Sequence, residues 1–298
     1  CGAYAGFGGG THYLMSKPGE LMLIPKNDLR IPTSNILFGA DVRNIKFLKD
    51  DFSYNFCVDG NYFTRHIAAG NDTLQTELYF TTALSLIKKF DANHLRFDLT
   101  YSNNTYDYDT TLSNFRVQVN PSYNLIEAGG KSHIGLNLFA ADSTFILAPD
   151  VTGEFNLSGD AIIIFGEAIS HYQLNNLFTI TSINPFIGKQ FQTSPDFETD
   201  INLGLKGNIN SNLMYSIKGG EAFHNFMNVY IPDTLTYYAL IDTNTKAFHL
   251  HAEVSYKQNE RINISGSADY YKYTTGNFTT AYGLPNASIS ALVNYKLN

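Results

Sequence analysis

Apolar and polar residues alternate with a period of two along most of this chain. In Phe248-His249-Leu250-His251-Ala252-Glu253-Val254-Ser255-Tyr256-Lys257, one face is Phe, Leu, Ala, Val and Tyr, and the other is His, His, Glu, Ser and Lys. A turn at Gln258 to Glu260 precedes Ile262, Ile264, Gly266, Ala268 and Tyr270. These alternate with Asn263, Ser265, Ser267, Asp269 and Tyr271. Such alternation predicts strands with one apolar and one wet face, here paired as an antiparallel hairpin.

The same pattern recurs upstream. Ile201, Leu203, Leu205 and Ile209 alternate with Asn202, Lys206 and Asn208. After Asn210-Ser211-Asn212, Leu213, Tyr215 and Ile217 oppose Ser216 and Lys218. Leu95, Phe97, Leu99 and Tyr101 oppose Arg96, Asp98 and Thr100, and Phe115, Val117 and Val119 oppose Arg116, Gln118 and Asn120. Phe52, Tyr54, Phe56 and Val58 oppose Ser53, Asn55, Cys57 and Asp59. About 14 such segments of roughly 8 to 14 residues are expected, the length that a tilted membrane-crossing strand needs. No segment shows a convincing helical period, and nothing divides the chain, so a single domain over residues 1–298 is expected.

Alternation does not say which face is inside; connection lengths do. Short turns are expected near 48–51, 90–93, 127–131, 158–160, 209–212 and 258–261. Longer polar connections are expected near 16–33, 67–75, 102–113, 172–195, 221–246 and 273–286. Short and long connections thus alternate, as they do in outer-membrane barrels with tight periplasmic turns and long external loops. The prediction is an all-β, antiparallel up-and-down transmembrane β-barrel of about 14 strands, complete or a piece of a longer one. Its apolar faces point outward. The competing architecture is a soluble or lipid-anchored β-rich binding protein, for instance one for glycans, with Phe248, Leu250, Val254 and Tyr256 packed inside.

Composition sharpens this picture. Charged residues make up 16% of the 298, below the roughly 25% of soluble domains, while 22 Phe and 20 Tyr supply an aromatic content of 14% without any Trp. Polarity comes mostly from Asn, Ser and Thr, which suits a wall with lipid on one side and water on the other. The net charge of −7 and the lack of basic runs longer than Lys88-Lys89 exclude a nucleic-acid partner. The most apolar run, Ala161 to Phe165, is far shorter than the roughly 18 residues of a membrane helix, so any membrane crossing must use a closed sheet. Two cysteines, Cys1 and Cys57, make neither a disulfide framework nor a zinc site. Cys1 is either a lipidation site or an arbitrary boundary; Cys57 is a small strand side chain.

No residues stand out as catalytic, and no cofactor or metal is expected. His249 and His251 share a strand face, but a metal would need a third ligand from elsewhere. They read as lumen-facing polar groups. Asp50-Asp51 belongs to a turn, and the remaining carboxylates are scattered. Gly6-Phe7-Gly8-Gly9-Gly10 lacks the Lys-Ser/Thr of a phosphate loop. Asn71-Asp72-Thr73 and Asn156-Leu157-Ser158 match the glycosylation sequon, as chance allows in so Asn- and Thr-rich a chain. The candidate ligand contacts are aromatics placed at the external mouth: Tyr106, Tyr108, Phe223, Phe226, Tyr230, Tyr237 and Tyr238.

Several segments resemble the barrel portion of Bacteroidota TonB-dependent-receptor-like outer-membrane proteins. They are Phe145 to Asp160 leading into Ile162-Ile163-Ile164-Phe165-Gly166, then Ile183-Asn184-Pro185-Phe186-Ile187, Asn202-Leu203-Gly204-Leu205-Lys206-Gly207-Asn208-Ile209, and Ala268-Asp269-Tyr270-Tyr271-Lys272-Tyr273. The resemblance covers the second half well and the first half loosely, and its motifs carry no catalytic content. It implies a non-enzymatic barrel in the cell outer membrane, with porin-like passage or uptake of small polar solutes. The implied partners are outer-membrane lipid, the solute and the barrel-assembly machinery. No plug domain or TonB-box pattern accompanies these segments, so energised transport is not implied. The final strand ends in Leu297-Asn298 rather than the aromatic residue that closes many such barrels.

Overall fold

The computed structural model describes residues 2–13, 30–44, 51–67, 73–108, 110–141, 144–173, 175–191, 195–232, 237–258 and 261–296. Cys1, most of the connection expected at 16–33, nearly all of the turn expected at 48–51 and the sequon residues Asn71-Asp72 lie outside them.

The strands are β1 (Gly2–Tyr13), β2 (Arg30–Arg43), β3 (Phe52–Ile67), β4 (Thr73–Phe90), β5 (Asn93–Tyr108), β6 (Thr110–Glu127), β7 (Gly130–Ala141), β8 (Thr144–Ser158) and β9 (Ile162–Gln173). A short helix α1 (Leu177–Ile183) and a short strand β10 (Ile187–Phe191) follow. The chain continues as β11 (Asp196–Asn210), β12 (Leu213–Pro232), β13 (Tyr237–Gln258), β14 (Ile262–Thr274) and β15 (Ala287–Tyr295). Each long strand pairs antiparallel with its neighbour in sequence in one sheet, β9 meeting β11 directly, while β10 pairs in parallel with β13. Among the described residues, β1 and β15 form the two ends of that order.

The architecture is that of an outer-membrane β-barrel. Phe248, Leu250, Val254 and Tyr256 all lie on the exposed outer face, as do Leu95, Phe97, Tyr101, Ile201, Leu203 and Leu205. Water does not favourably cover such a continuous apolar surface; acyl chains do. The opposite faces carry Arg96, Asp98, Asn120, Asn202, Lys218 and His249. No helix among the described residues is long and apolar enough to cross a membrane.

The sheet curls round on itself, and α1 shows it. Leu177, at one end of the helix, packs with Phe63 of β3 and Tyr106 of β5. Ile180, one turn later, packs with Tyr230 of β12 and Ala239 of β13. A seven-residue helix is only about 10 Å long. Strands far apart in sheet order therefore face each other across a narrow lumen.

Short turns fall where expected: β4 meets β5 at 91–92, β6 meets β7 at 128–129, and β11 meets β12 at 211–212. The long connections differ from expectation. Most of 102–113 and 221–246 is strand, not loop: β5 runs to Tyr108 with β6 starting at Thr110, and β12 and β13 reach 20 and 22 residues. At about 3.3 Å per residue β13 is roughly 70 Å long, so its hairpin with β12 stands well clear of any bilayer. There both faces meet water, and the alternation that marks a lipid-facing strand fades.

The helix within 172–195 is a further departure, since no helical period marks it. Leu177-Phe178-Thr179-Ile180-Thr181-Ser182-Ile183 is rich in β-branched residues and poor in strong helix formers. Its caps hold it. Asn176 accepts from Thr179 N at 2.7 Å, and Leu177 N and Phe178 N each donate to one carboxylate oxygen of Glu77 at 2.8 Å. The first three helical N–H groups, which have no partner inside the helix, are thereby all bonded. Thr181 Oγ1 and Ser182 Oγ return to the carbonyls of Leu177 and Thr179.

Candidate functional site

The sheet alternation puts every second residue of β11 to β14 into the lumen. On β11 the inward positions are Asp196, Glu198 and Asp200; on β12, Lys218, Ala222 and His224. On β13 they are Ala247, His249 and His251, and on β14, Asp269, Tyr271 and Tyr273. These side chains line a cavity of about 710 Å³. Its external side is formed by Tyr230, Asn228 and Met227 from the prolonged β12, Ile183 at the end of α1, and Leu284 and Pro285 before β15.

Two histidine–carboxylate pairs are built into the wall. His224 Nδ1 lies 2.7 Å from Asp196 Oδ2, and Asp196 Oδ1 accepts from Phe226 N at 3.0 Å. His251 Nδ1 lies 2.6 Å from Asp269 Oδ1, while Ser288 Oγ donates to Asp269 Oδ2 at 2.9 Å. Asp196 and Asp269 are thus each bonded on both oxygens. Lys218 is drawn to the wall, its Nζ 3.0 Å from Glu167 Oε1 on β9.

Other groups are less satisfied. Asp200 Oδ2 accepts from Asn202 Nδ2 at 2.8 Å, but its buried Oδ1 accepts no hydrogen bond among the described residues. His249 Nε2 stands 3.8 Å from that oxygen, beyond hydrogen-bonding range. The buried Oδ1 of Asn228 is likewise unpartnered. Tyr271 and Tyr273 stack with ring centroids 6.0 Å apart and planes 12° from parallel, and His249 lies 6.1 Å from Tyr271. Tyr230, far out on β12 beyond the bilayer span, is buried against Ile180 and Ala239, and that burial pushes its phenol up to about 12.

A second patch of wall is almost entirely polar. Asn120 Nδ2 donates to Asn137 Oδ1 and to Asp150 Oδ2, both at 2.7 Å, and His133 Nε2 stands 3.1 Å from the same Asp150 oxygen. It borders a cavity of about 430 Å³.

Among the described side chains, the expected mouth aromatics do not gather at one site. Tyr230 lines the main cavity. Tyr106 is buried with Phe63 and Leu177, on the far side of α1. Phe223 lies under Lys246 Nζ, 5.4 Å from its ring centre, and Phe226 is substantially exposed. Tyr238 is half-buried on β13. Tyr108 and Tyr237 belong to β5 and β13, and their side chains lie outside the described set. His249 and His251 both face the lumen, and among the described residues no group of three or more His, Cys, Asp or Glu is arranged to hold a metal ion.

Sequence reasoning did not single out Asp196, Glu198, Asp200, His224, Tyr271 and Tyr273 as a site. A signal was present: Asp196-x-Glu198-x-Asp200 puts three carboxylates on one strand face, and Tyr271 and Tyr273 set aromatics on a face otherwise wet.

No protein-family model matches the chain, and no curated protein matches it. Solved structures do match in fold. The ferric enterobactin receptor PfeA of Pseudomonas aeruginosa aligns with a TM-score of 0.63 at 8% identity, over 90% of this chain and 48% of its own. The ferric-catecholate import receptor Fiu of E. coli K12 gives 0.62 at 7% identity, over 90% and 52%. The alcaligin outer-membrane receptor FauA of Bordetella pertussis gives 0.59 at 11% identity, over 90% and 51%. The chain spans about half the length of the structures it matches, and its fold is that of their barrel walls.

Proposed function

We propose that this chain forms a large part of the wall of a TonB-dependent-receptor-like barrel in the cell outer membrane, through whose lumen small polar solutes are bound and passed. One observation carries the reading. An apolar outer face encloses a wet inner face, and α1, the outer part of β12 and Leu284-Pro285 close in on the external side of a polar cavity. An unobstructed pore needs no such narrowing; a barrel that selects its solute does. Kinship with Bacteroidota proteins rests on the strand-and-loop segments quoted above, and the outer-membrane siderophore receptors named support the kind of barrel without naming a solute for this one.

Two measurements test it. The protein should partition into detergent and lipid without an acyl anchor. The full-length protein that carries this chain, reconstituted into planar bilayers, should show solute-dependent conductance. A protein that stays in the aqueous phase, with no insertion into lipid, overturns the proposal in favour of a soluble binding protein.

A further inference from the structure

The wall beneath α1 and β10 is polar, buried and incompletely satisfied. Pairing register puts Asn61 and Arg65 of β3, Gln75 and Glu77 of β4 and Asn104 of β5 on one face of the sheet, and all are buried. The helix and the short strand lie over this patch. Glu77 takes the Leu177 and Phe178 N–H groups, and Arg65 donates to Gly188 O.

Within the patch, Arg65 donates from Nε and Nη2 to the same Gln75 Oε1, at 3.0 and 2.7 Å. Arg65 Nη1, Gln75 Nε2, Asn61 Oδ1 and Asn104 Oδ1 are buried and have no hydrogen-bond partner among the described residues. A buried polar atom without a partner is costly, and a half-satisfied network is less favourable than an apolar interface. Water would answer all four atoms once the segment above them lifted. A permanent wall gains nothing from such a surface. An interface that opens and closes does, because the penalty on its covered state brings the open state within reach.

The covering segment is suited to lifting. Helix α1 has seven residues and little helix propensity. It reaches from β3 and β5 at Leu177 to β12 and β13 at Ile180, so it lies across the lumen. Asn175 and Ile183, at its two ends, line the cavity of about 710 Å³. On the external side, the way into that cavity passes this segment.

We infer that α1 and β10 form a gate across the external side of the lumen, docked on the β3–β5 wall when closed and lifted from it when solute passes. This deepens the function just proposed and rests on it.

The test uses the full-length protein that carries this chain, with Cys1→Ser and Cys57→Ser. Ile187→Cys and Tyr237→Cys then place a thiol pair at partnered positions of β10 and β13. Oxidation should tie the gate down and lower solute-dependent conductance in planar bilayers about tenfold or more, and reductant should restore it. A second variant needs no disulfide and no bilayer. Asn61→Leu, in the otherwise unmodified protein in detergent, replaces an unanswered carbonyl by an apolar group of similar size. Hydrogen exchange of residues 177–183 should slow about tenfold, because the closed state loses part of its penalty. Equal conductance of the oxidised and reduced pair, or unchanged or faster exchange in Asn61→Leu, overturns the inference. Insertion with conductance indifferent to the disulfide defeats only the gate, whereas absence of insertion defeats the barrel proposal itself.

Discussion

Replacing Glu77 by Ala should release α1 from the lumen wall. Glu77 is fully buried, and both of its oxygens are spent on the first two N–H groups of the helix, a hundred residues away in sequence. Without them those two N–H groups have no partner inside the helix. Hydrogen bonds to charged groups contribute about 1.5–3 kcal/mol each, so the pair accounts for roughly 3–6 kcal/mol of docking. A two-turn helix of Thr and Ile has little stability of its own, and nucleation alone is unfavourable. The helix should therefore unfold locally while the sheet persists. Hydrogen exchange of the amides of residues 177–183 should rise by at least about a hundredfold, the equivalent of about 3 kcal/mol. Exchange in β11 to β14 should stay as it was. Glu77→Gln retains one acceptor and should fall between wild type and Ala. Unchanged exchange at 177–183 in Glu77→Ala would refute the argument, because it would show that the two apolar clusters, and not the carboxylate, hold the helix.

Arg65→Met should act on the same segment from its other end, since the buried guanidinium donates to Gly188 O at 3.0 Å and to Gln75 Oε1. Protease cleavage around 184–191 should increase without a change in the heat-modified mobility of the barrel. Val254→Arg, on the outer face, should cost about 2–4 kcal/mol in refolding into lipid if the residue sits near the bilayer midplane, while Glu253→Gln, on the wet face, should change stability little. The reverse order would mean that the barrel is inside out. Gly207→Val should lower stability measurably in the same assay, because a Cβ there would stand 2.1 Å from the backbone carbonyl oxygen of Ala161.

Much of the fold was legible because a bilayer imposes a simple rule on sequence. Leu95, Phe97, Leu99 and Tyr101 had to face lipid and Arg96, Asp98 and Thr100 had to face water, so period and orientation followed from side-chain type. Tight turns were legible for a related reason: short periplasmic connections leave only a few polar residues between two alternating runs. The rule lapses outside the bilayer. In 102–113 and 221–246 both strand faces meet water or protein, and Asn103, Asn104 and Thr105 give the same polarity whether the backbone is strand or loop. Helix α1 was hidden for a different reason. Its decisive partner, Glu77, is distant in sequence, and its own residues favour strands.

The site was less legible than the fold because its chemistry is assembled across strands that are not neighbours in sequence or, in places, even in the sheet. The chain shows no obvious charge pairs along its wet faces. The structure makes them across strands: Lys206 on β11 reaches Glu154 on β8 at 2.5 Å, and Lys218 on β12 reaches Glu167 on β9, each passing over one intervening strand. Such pairs leave no trace in spacing, since the residues are about 50 positions apart and need the curvature of the sheet to meet. Once those partners are assigned, what distinguishes Asp200 is not that it is acidic, which the sequence shows, but that one of its oxygens is buried and unanswered. A lumen wall can neutralise a charge with a neighbour or leave it unanswered, and only the three-dimensional pairing separates the two.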